Sequence, residues 1–457
     1  MLSAEIFKAY DIRGVVGKTL TAEVVRQIGM ALGALAAERG QRGIAVGRDG
    51  RLSGPELSAA LMEGIAAMGL EALDLGCVPT PLTYFAAMHL GVNSCVSVTG
   101  SHNPPEYNGL KMVIAGETLA LEKIGALKTR IERGLSPAGA RGQIRREEIA
   151  EAYLARVLEG ARLSRPVHIV VDCGNGVAGA VAPELFRRLG CTVTPLFCEV
   201  DGRFPNHHPD PSKPENLADL ARVVRESDAE LGLAFDGDGD RLGVVTKEGR
   251  MIYPDRLLML FAADVLSRAP GGEIIYDVKC SRLLAPWIRA RGGKPLMWNT
   301  GHALIKAKLK EMGAPLAGEM SGHFFFRERW YGFDDALYAG ARLLEILSRE
   351  AEIGAALAAL PDSVSTPEIN VAMREGEPHR LVARLREAGP FPGEESRLTL
   401  DGLRVEFSDG FGLARASNTT PVVVLRFEAE SALALSRIQE IFRAALAALE
   451  PNLPLNF

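Results

Sequence analysis

The sequence predicts an α/β protein of four domains: three related α/β units with mixed sheets, followed by a smaller C-terminal α+β domain. Three observations lead there. An apolar strand, a helix and a second strand recur along the chain with Ile44, Ile169 and Ile274 in equivalent places, at offsets of 125 and 105 residues. Stretches rich in glycine, proline or turn residues separate the copies near 134–142, 247–254 and 361–367. A chain of 457 residues holds three domains at about 150 residues each, with scatter to four. The expected domains are 1–149, 150–250, 251–361 and 362–457.

The first copy opens with an apolar strand at 44–50 that enters a Gly-rich turn. A helix follows, with Ser53 as its cap and Glu56 three residues on, the spacing of a capping box, and then a second strand at 69–75. The second copy has its strand and Gly-rich turn at 167–176, a helix through Leu185 and Leu189, and a strand at 190–193. The third has a strand at 273–278, a helix with Leu283, Leu284, Trp287 and Ile288 on one face, and a segment at 292–296. The last piece differs. A helix near 377–388, strands around 398–407 and 422–427, and an amphipathic helix over 431–449 make it α+β.

Apolar content of 47% and charged content of 24% are those of an ordinary globular enzyme. A net charge of −5 gives no electrostatic reason to expect nucleic acid or a membrane surface as partner. The six cysteines contain no C-x-x-C, which argues against a zinc site or a disulfide framework and for reduced thiols in the cytoplasm. Lys8 and Asp11 interrupt any signal-peptide pattern at the start, and no 18-residue apolar run suggests a membrane span.

Two stretches carry chemistry. The first is D-G-D-G-D-R at 236–241, between apolar runs at 231–235 and 242–245 that read as short strands. On a straight strand Asp236 and Asp240 would be roughly 13 Å apart. Carboxylate oxygens on one Mg²⁺ lie about 2.1 Å from the metal, so the chain must curl, and Gly237 and Gly239 allow it. A calcium-binding EF-hand loop would need Gly and Glu where Arg241 and Lys247 stand. An aspartyl-nucleophile phosphatase would want a hydroxyl or small apolar residue where Asp240 stands. A metal cage fits better.

The second stretch is T-G-S-H-N-P at 99–104, after the apolar run 95–98. A strand ending in a sharp turn would present the Ser101 hydroxyl at the carboxyl edge of a sheet, where open α/β folds place their ligands. A Ser–His hydrolase pair is disfavoured, because Ser101 and His102 are neighbours that project apart and no G-x-S-x-G elbow is present. Taken alone, the stretch reads more simply as a turn serine bonding its local backbone.

Together the two stretches resemble the α-D-phosphohexomutase family, the phosphomannomutases and phosphoglucomutases. The likeness extends in order through K-A-Y-D-I-R-G at 8–14, G-H at 301–302, G-E-M-S-G-H at 318–323 and R-A-S-N-T at 415–419. It implies four domains around a central cleft, a phosphoserine at Ser101, and Mg²⁺ held by Asp236, Asp238 and Asp240 with Ser101 as a further ligand. Glu319 and Ser321 would grip sugar hydroxyls, and Arg415, Ser417, Asn418 and Thr419 the substrate phosphate. Tyr10, Lys279 and His302 match positions that face the substrate.

The chemistry that follows is a reversible conversion of hexose 1-phosphate to hexose 6-phosphate through a hexose 1,6-bisphosphate. Arg241 and Lys111 would add positive charge beside the transferred group. The proton of the attacking hydroxyl would pass to His323, with His102, Lys111 and Arg13 as the other candidates. The distal phosphate must be gripped in two poses of the sugar, which suits the fork of Arg415 and a fan of donors on a turn. Met320, apolar where a phosphoglucosamine mutase would carry glutamine, tilts the substrate towards mannose and glucose phosphates. A monomer or small homo-oligomer is expected.

Two rival readings stand beside this one. Gly174, Gly176 and Gly179 form a literal G-x-G-x-x-G after a strand, with Glu199 twenty residues beyond Gly179, which would make a dinucleotide-dependent oxidoreductase. Asp172 stands where a pyrophosphate would approach, which counts against it. A sugar-phosphate sensor that never turns over is the other. His207, His208 and Asp210 sit in a proline-rich stretch and read as a structural loop.

Overall fold

The computed structural model describes every residue except Met1, Thr419 and Asn456. It holds four sheets in chain order, the first three mixed and the fourth antiparallel. The first sheet runs Ile12–Val15, Tyr107–Ile114, Cys95–Val98, Gly43–Arg48, Glu71–Cys77, Ile144–Arg146. The second runs Met251–Ile252, Leu242–Thr246, Leu231–Phe235, His168–Asp172, Thr192–Leu196, and the third Lys294–Trp298, Glu273–Asp277, Leu316–Gly318, Phe324–Phe326.

The repeat reaches further than the strand–helix–strand pattern of the sequence. In each of the three units the leading strand (Gly43–Arg48, His168–Asp172, Glu273–Asp277) pairs in parallel with a later strand: Cys95–Val98, Leu231–Phe235 and Leu316–Gly318. Each later strand then turns back into an antiparallel one: Tyr107–Ile114, Leu242–Thr246 and Phe324–Phe326. The three turns between them hold Ser101, the triple aspartate, and Glu319 with Ser321. Three equivalent hairpins thus carry three different sets of polar side chains. Their strands are buried on both faces, so the turns leave a rigid edge.

Apolar packing fuses these units. One cluster of buried residues takes in Leu73 and Phe85 of the first, Tyr153 and Phe235 of the second, and Phe324 and Tyr338 of the third. The fourth sheet has a core of its own, from Val371 through Phe427 to Leu446. Its apolar link to the third unit is small: Val278 against Phe411 and Leu413.

Two local expectations are corrected. Ser53 does not cap the helix Gly54–Ala67; its hydroxyl accepts instead from Asn108 Nδ2 at 2.9 Å, so no capping box forms. The fourth sheet also contains a strand, Gly410–Ala416, between the two expected ones. A side chain at Gly412 would meet the Phe442 ring at 2.4 Å, so the glycine lets the helix Ala432–Leu449 lie close on the sheet.

Candidate active site

Ser101 lies just past Cys95–Val98 in the left-handed region, φ +49°, and is buried. Its Oγ donates to Asp236 Oδ2 at 3.0 Å and lies 3.2 Å from His102 Nδ1. The serine turn and the aspartate loop touch backbone to backbone, since a Cβ added at Gly237 would meet the Ser101 carbonyl oxygen at 2.3 Å. The serine side chain and the aspartate loop therefore meet across the junction of the first two units.

Asp236, Asp238 and Asp240 are fully buried and offer carboxylate oxygens all within 4.8 Å of one another. The curl is tied by Asp236 Oδ1, which accepts from the amides of Gly239, Asp240 and Arg241 at 3.0, 3.1 and 3.1 Å. Gly239 supplies the positive φ, +77°. Burial pushes the Asp236 carboxyl well above the usual range, and Asp238 and Asp240 push it further. Burial acts the same way on Asp240, but the Lys111 ammonium and His323 override it and hold that group well below. Lys111 bridges Asp238, at 2.8 Å, and Asp240. Thr80 donates to Asp238 Oδ2 at 2.6 Å, whereas Asp238 Oδ1 is buried with no hydrogen-bond partner. An orphaned carboxylate oxygen within a set of hard oxygen donors fits a small dication such as Mg²⁺.

Ser101, Lys111, Arg241 and His323, which contact the aspartates, line a cleft of about 770 Å³ that draws residues from all four units. From the third unit, Glu319 Oε1 accepts from the Gly301 amide at 2.6 Å, and Oε2 receives Ser321 Oγ at 3.2 Å and His323 Nδ1 at 2.9 Å. His323 Nε2 faces Asp240 Oδ1 at 3.2 Å. Burial disfavours charge on both Glu319 and His323, but His323 holds the carboxyl down to about 2, and Asp240, with Glu319 behind it, pushes the imidazole up to about 9. His302 is buried 3.5 Å from Asp334, and burial with Lys306 and Lys111 nearby pushes it well below the usual imidazole range. Lys279 pairs with Glu368 at 2.5 Å.

The far wall comes from the fourth unit. Arg415 donates from Nε to Asp401 at 3.1 Å, and Asp401 also accepts from the Thr300 amide at 3.0 Å. Ser417 and Asn418 follow the strand Gly410–Ala416 that carries Arg415, and Asn418 Nδ2 donates to Tyr10 OH at 2.5 Å. The hydroxyl of Tyr10 donates in turn to Thr300 O at 2.9 Å, so one tyrosine joins the first, third and fourth units. Arg13 lines the cleft paired with Asp11 at 2.5 Å. Thr419 lies outside the described residues.

Residues 4–138, 151–249 and 253–364 match the alpha/beta/alpha domains I, II and III described for phosphoglucomutase/phosphomannomutase, and residues 368–445 match the C-terminal domain of that description. The chain belongs to the phosphoglucomutase/phosphomannomutase family. It is 55% identical over 457 residues to a phosphomannomutase/phosphoglucomutase of Pseudomonas aeruginosa, covering 100% of this chain and 98% of the relative. It is 55% identical over 447 residues to a phosphoglucomutase of Neisseria gonorrhoeae, covering 97% of each. A crystal structure of a phosphoglucomutase/phosphomannomutase family protein from Burkholderia thailandensis superposes with TM-score 0.95 at 56% identity over 100% of both chains.

Within this family member the dinucleotide fingerprint is filled by the chain itself. A Cβ at Gly179 would meet Cys198 O at 2.0 Å, and one at Gly176 would meet Gly237 at 3.0 Å. These glycines let the aspartate loop pack and leave no cradle for a pyrophosphate. The proline-rich loop is only half structural. His207 does anchor it, 3.1 Å from Asp172, but His208, Asp210 and Lys213 line the cleft. Proline content marked the loop as rigid without showing which side faces the cleft. Asp49 and Arg51, buried behind the serine turn, read locally as part of a Gly-rich turn. No helix among the described residues is long and apolar enough to cross a membrane.

Proposed function

We propose that the protein interconverts hexose 1-phosphates and hexose 6-phosphates, mannose and glucose phosphates above all, through a phosphorylated Ser101 and a hexose 1,6-bisphosphate intermediate. One observation carries this: Ser101 Oγ lies 3.0 Å from Asp236 Oδ2, in the floor of a cleft whose far wall bears Arg415. The names of the close relatives support it.

The phosphoryl group on Ser101 passes to the free hydroxyl of a bound hexose monophosphate. The seryl O–P bond breaks, the new sugar O–P bond forms, and the bisphosphate turns so that its other phosphoryl group returns to Ser101. Asp236, Asp238, Asp240 and the seryl oxygen would hold Mg²⁺, which when bound supplies charge neutralisation and Lewis acidity. Arg241 and Lys111 add fixed positive charge. Arg415 and the donors at 417–420 hold the distal phosphate and leave the ring free to turn.

The proton has two stations. His323, with Asp240 3.2 Å from Nε2 and Glu319 2.9 Å from Nδ1, is one imidazole placed to carry it. His102, with Nδ1 3.2 Å from Ser101 Oγ, is the other.

Met320 is buried against the cleft and brings no polar atom on its side chain to receive an amino group. We place the enzyme in the cytoplasm as a monomer or small homo-oligomer. A coupled assay with mannose 1-phosphate, glucose 1-phosphate and glucosamine 1-phosphate, with Mg²⁺ and a trace of bisphosphate, tests the proposal. Turnover of the first two is expected; preference for the third would overturn the sugar assignment, and none at all the mutase.

A further inference from the structure

We infer that Arg51, anchored by Asp49, is a positioning residue that clasps the serine turn and fixes the Ser101 hydroxyl against the aspartate cluster. The inference rests on the proposed role of Ser101 and adds the device that aims it.

Arg51 is 1% exposed and does not line the cleft, so it touches no substrate. All five of its donor positions are spent. Nε bonds Asp49 Oδ2 at 3.1 Å; Nη1 bonds the carbonyls of Pro104 and Tyr107 at 2.6 and 3.0 Å; Nη2 bonds those of Ser101 and Asn103 at 2.9 and 2.6 Å. Four carbonyls of one turn converge on one fork, an arrangement that buried backbone oxygens cannot hold without donors. Asp49 gathers the donors of the same turn, accepting from Thr99 Oγ1 at 2.8 Å and the Gly100 amide at 3.0 Å. Thr99 Oγ1 in turn accepts the Ser101 amide at 2.8 Å. The pair thus accounts for the polar backbone on both sides of Ser101, whose left-handed φ of +49° needs outside support.

The clasp also spans the junction with the second unit. The Phe204 ring lies 5.2 Å from Arg51 Cζ, and a Cβ at Gly202 would meet Arg51 Cα at 2.6 Å. Gly237 of the aspartate loop rests against the same Ser101 carbonyl oxygen that Arg51 holds. That oxygen is held by both guanidinium and aspartate loop, which sets the separation of Ser101 Oγ from Asp236.

Arg51→Lys keeps the charge but cannot reproduce the planar fork. With the protein folded, kcat for glucose 1-phosphate is expected to fall about 30- to 100-fold while KM moves less than about threefold. The rate at which hexose 1,6-bisphosphate phosphorylates Ser101, followed by mass spectrometry, should fall by the same factor. Gly100→Ala is the second variant, because its new Cβ would meet Arg51 Nε at 2.3 Å and push the guanidinium off the turn without removing it. The same split between kcat and KM is expected. A kcat within threefold of the parent in either folded variant, or equal changes in kcat and KM, would overturn the inference. Failure of both variants to fold would overturn it too, since Arg51 would then scaffold the whole unit rather than aim one turn. An unsubstituted enzyme with neither phosphoserine nor turnover would instead sink the proposed function.

Discussion

Ser101 and the three aspartates sit on turns of a body whose three sheets share one apolar core, whereas Arg415 rides on a sheet with a core of its own. At the first end the three aspartates are fully buried and the two turns touch backbone to backbone. At the second, the fourth unit meets the others through polar links: Tyr10 with Asn418, Thr300 with Asp401, Arg404 with the carbonyls of Val278 and Cys280 at 2.6 and 2.7 Å, and Ser281 with Glu428 at 2.8 Å. The difference matches the two tasks. Phosphoryl transfer needs fixed atoms, and a grip that must serve two poses of a turning sugar needs a wall that can shift.

If the two ends act separately, disturbing each should leave a different kinetic mark. Removal of divalent cations with EDTA strikes the rigid end and is expected to lower kcat by about 100-fold or more, restored by Mg²⁺, with KM for glucose 1-phosphate little changed. Loss appearing mainly in KM would break the comparison. Arg415→Lys strikes the far wall. It keeps the charge and loses the fork, so KM should rise about tenfold with kcat within about threefold, measured by steady-state kinetics. A dominant fall in kcat would show that the far wall also aims the transferred group.

The smallest effect concerns how firmly the first three units are fused. Asp335 of the third unit is buried under Tyr153 of the second, whose hydroxyl donates to it at 2.9 Å, and it caps the helix Ala336–Leu347. Burial pushes this carboxyl up to about 7. A raised folded value means that its contribution is full below the unfolded value near 4 and is lost as pH rises through about 7. Asp335→Asn should therefore match the parent in thermal unfolding near pH 4 and exceed it, by on the order of 1 kcal/mol, near pH 8. A variant less stable at both pH values would mean that the charged cap, rather than its burial, dominates.

Much of this was legible in the sequence where local pattern decides. The aspartate loop sits between Leu231–Phe235 and Leu242–Thr246 as the flanking apolar runs require, and the glycines supply the curl. The last helix, Ala432–Leu449, starts at its Ser431 cap, whose hydroxyl accepts from the Ala434 amide. Long-range geometry was not legible. Asp49 and Arg51 act on a turn 50 residues away, so no local signal separates them from an ordinary Gly-rich turn. The equivalence of the three hairpin turns was hidden as well, because they share strand geometry while their residues differ. Ser53 failed as a cap because Asn108, brought beside it by the sheet, competes for its oxygen.

The central claim is that Ser101 passes its phosphoryl group to the sugar beside the aspartate cluster. Protein labelled with ³²P on Ser101, mixed with unlabelled glucose 1-phosphate and Mg²⁺ and quenched at successive times, tests it directly. The label is expected in hexose 1,6-bisphosphate first and in hexose 6-phosphate afterwards, with Ser101→Ala taking up none. Label remaining on the protein while glucose 6-phosphate accumulates would contradict the account.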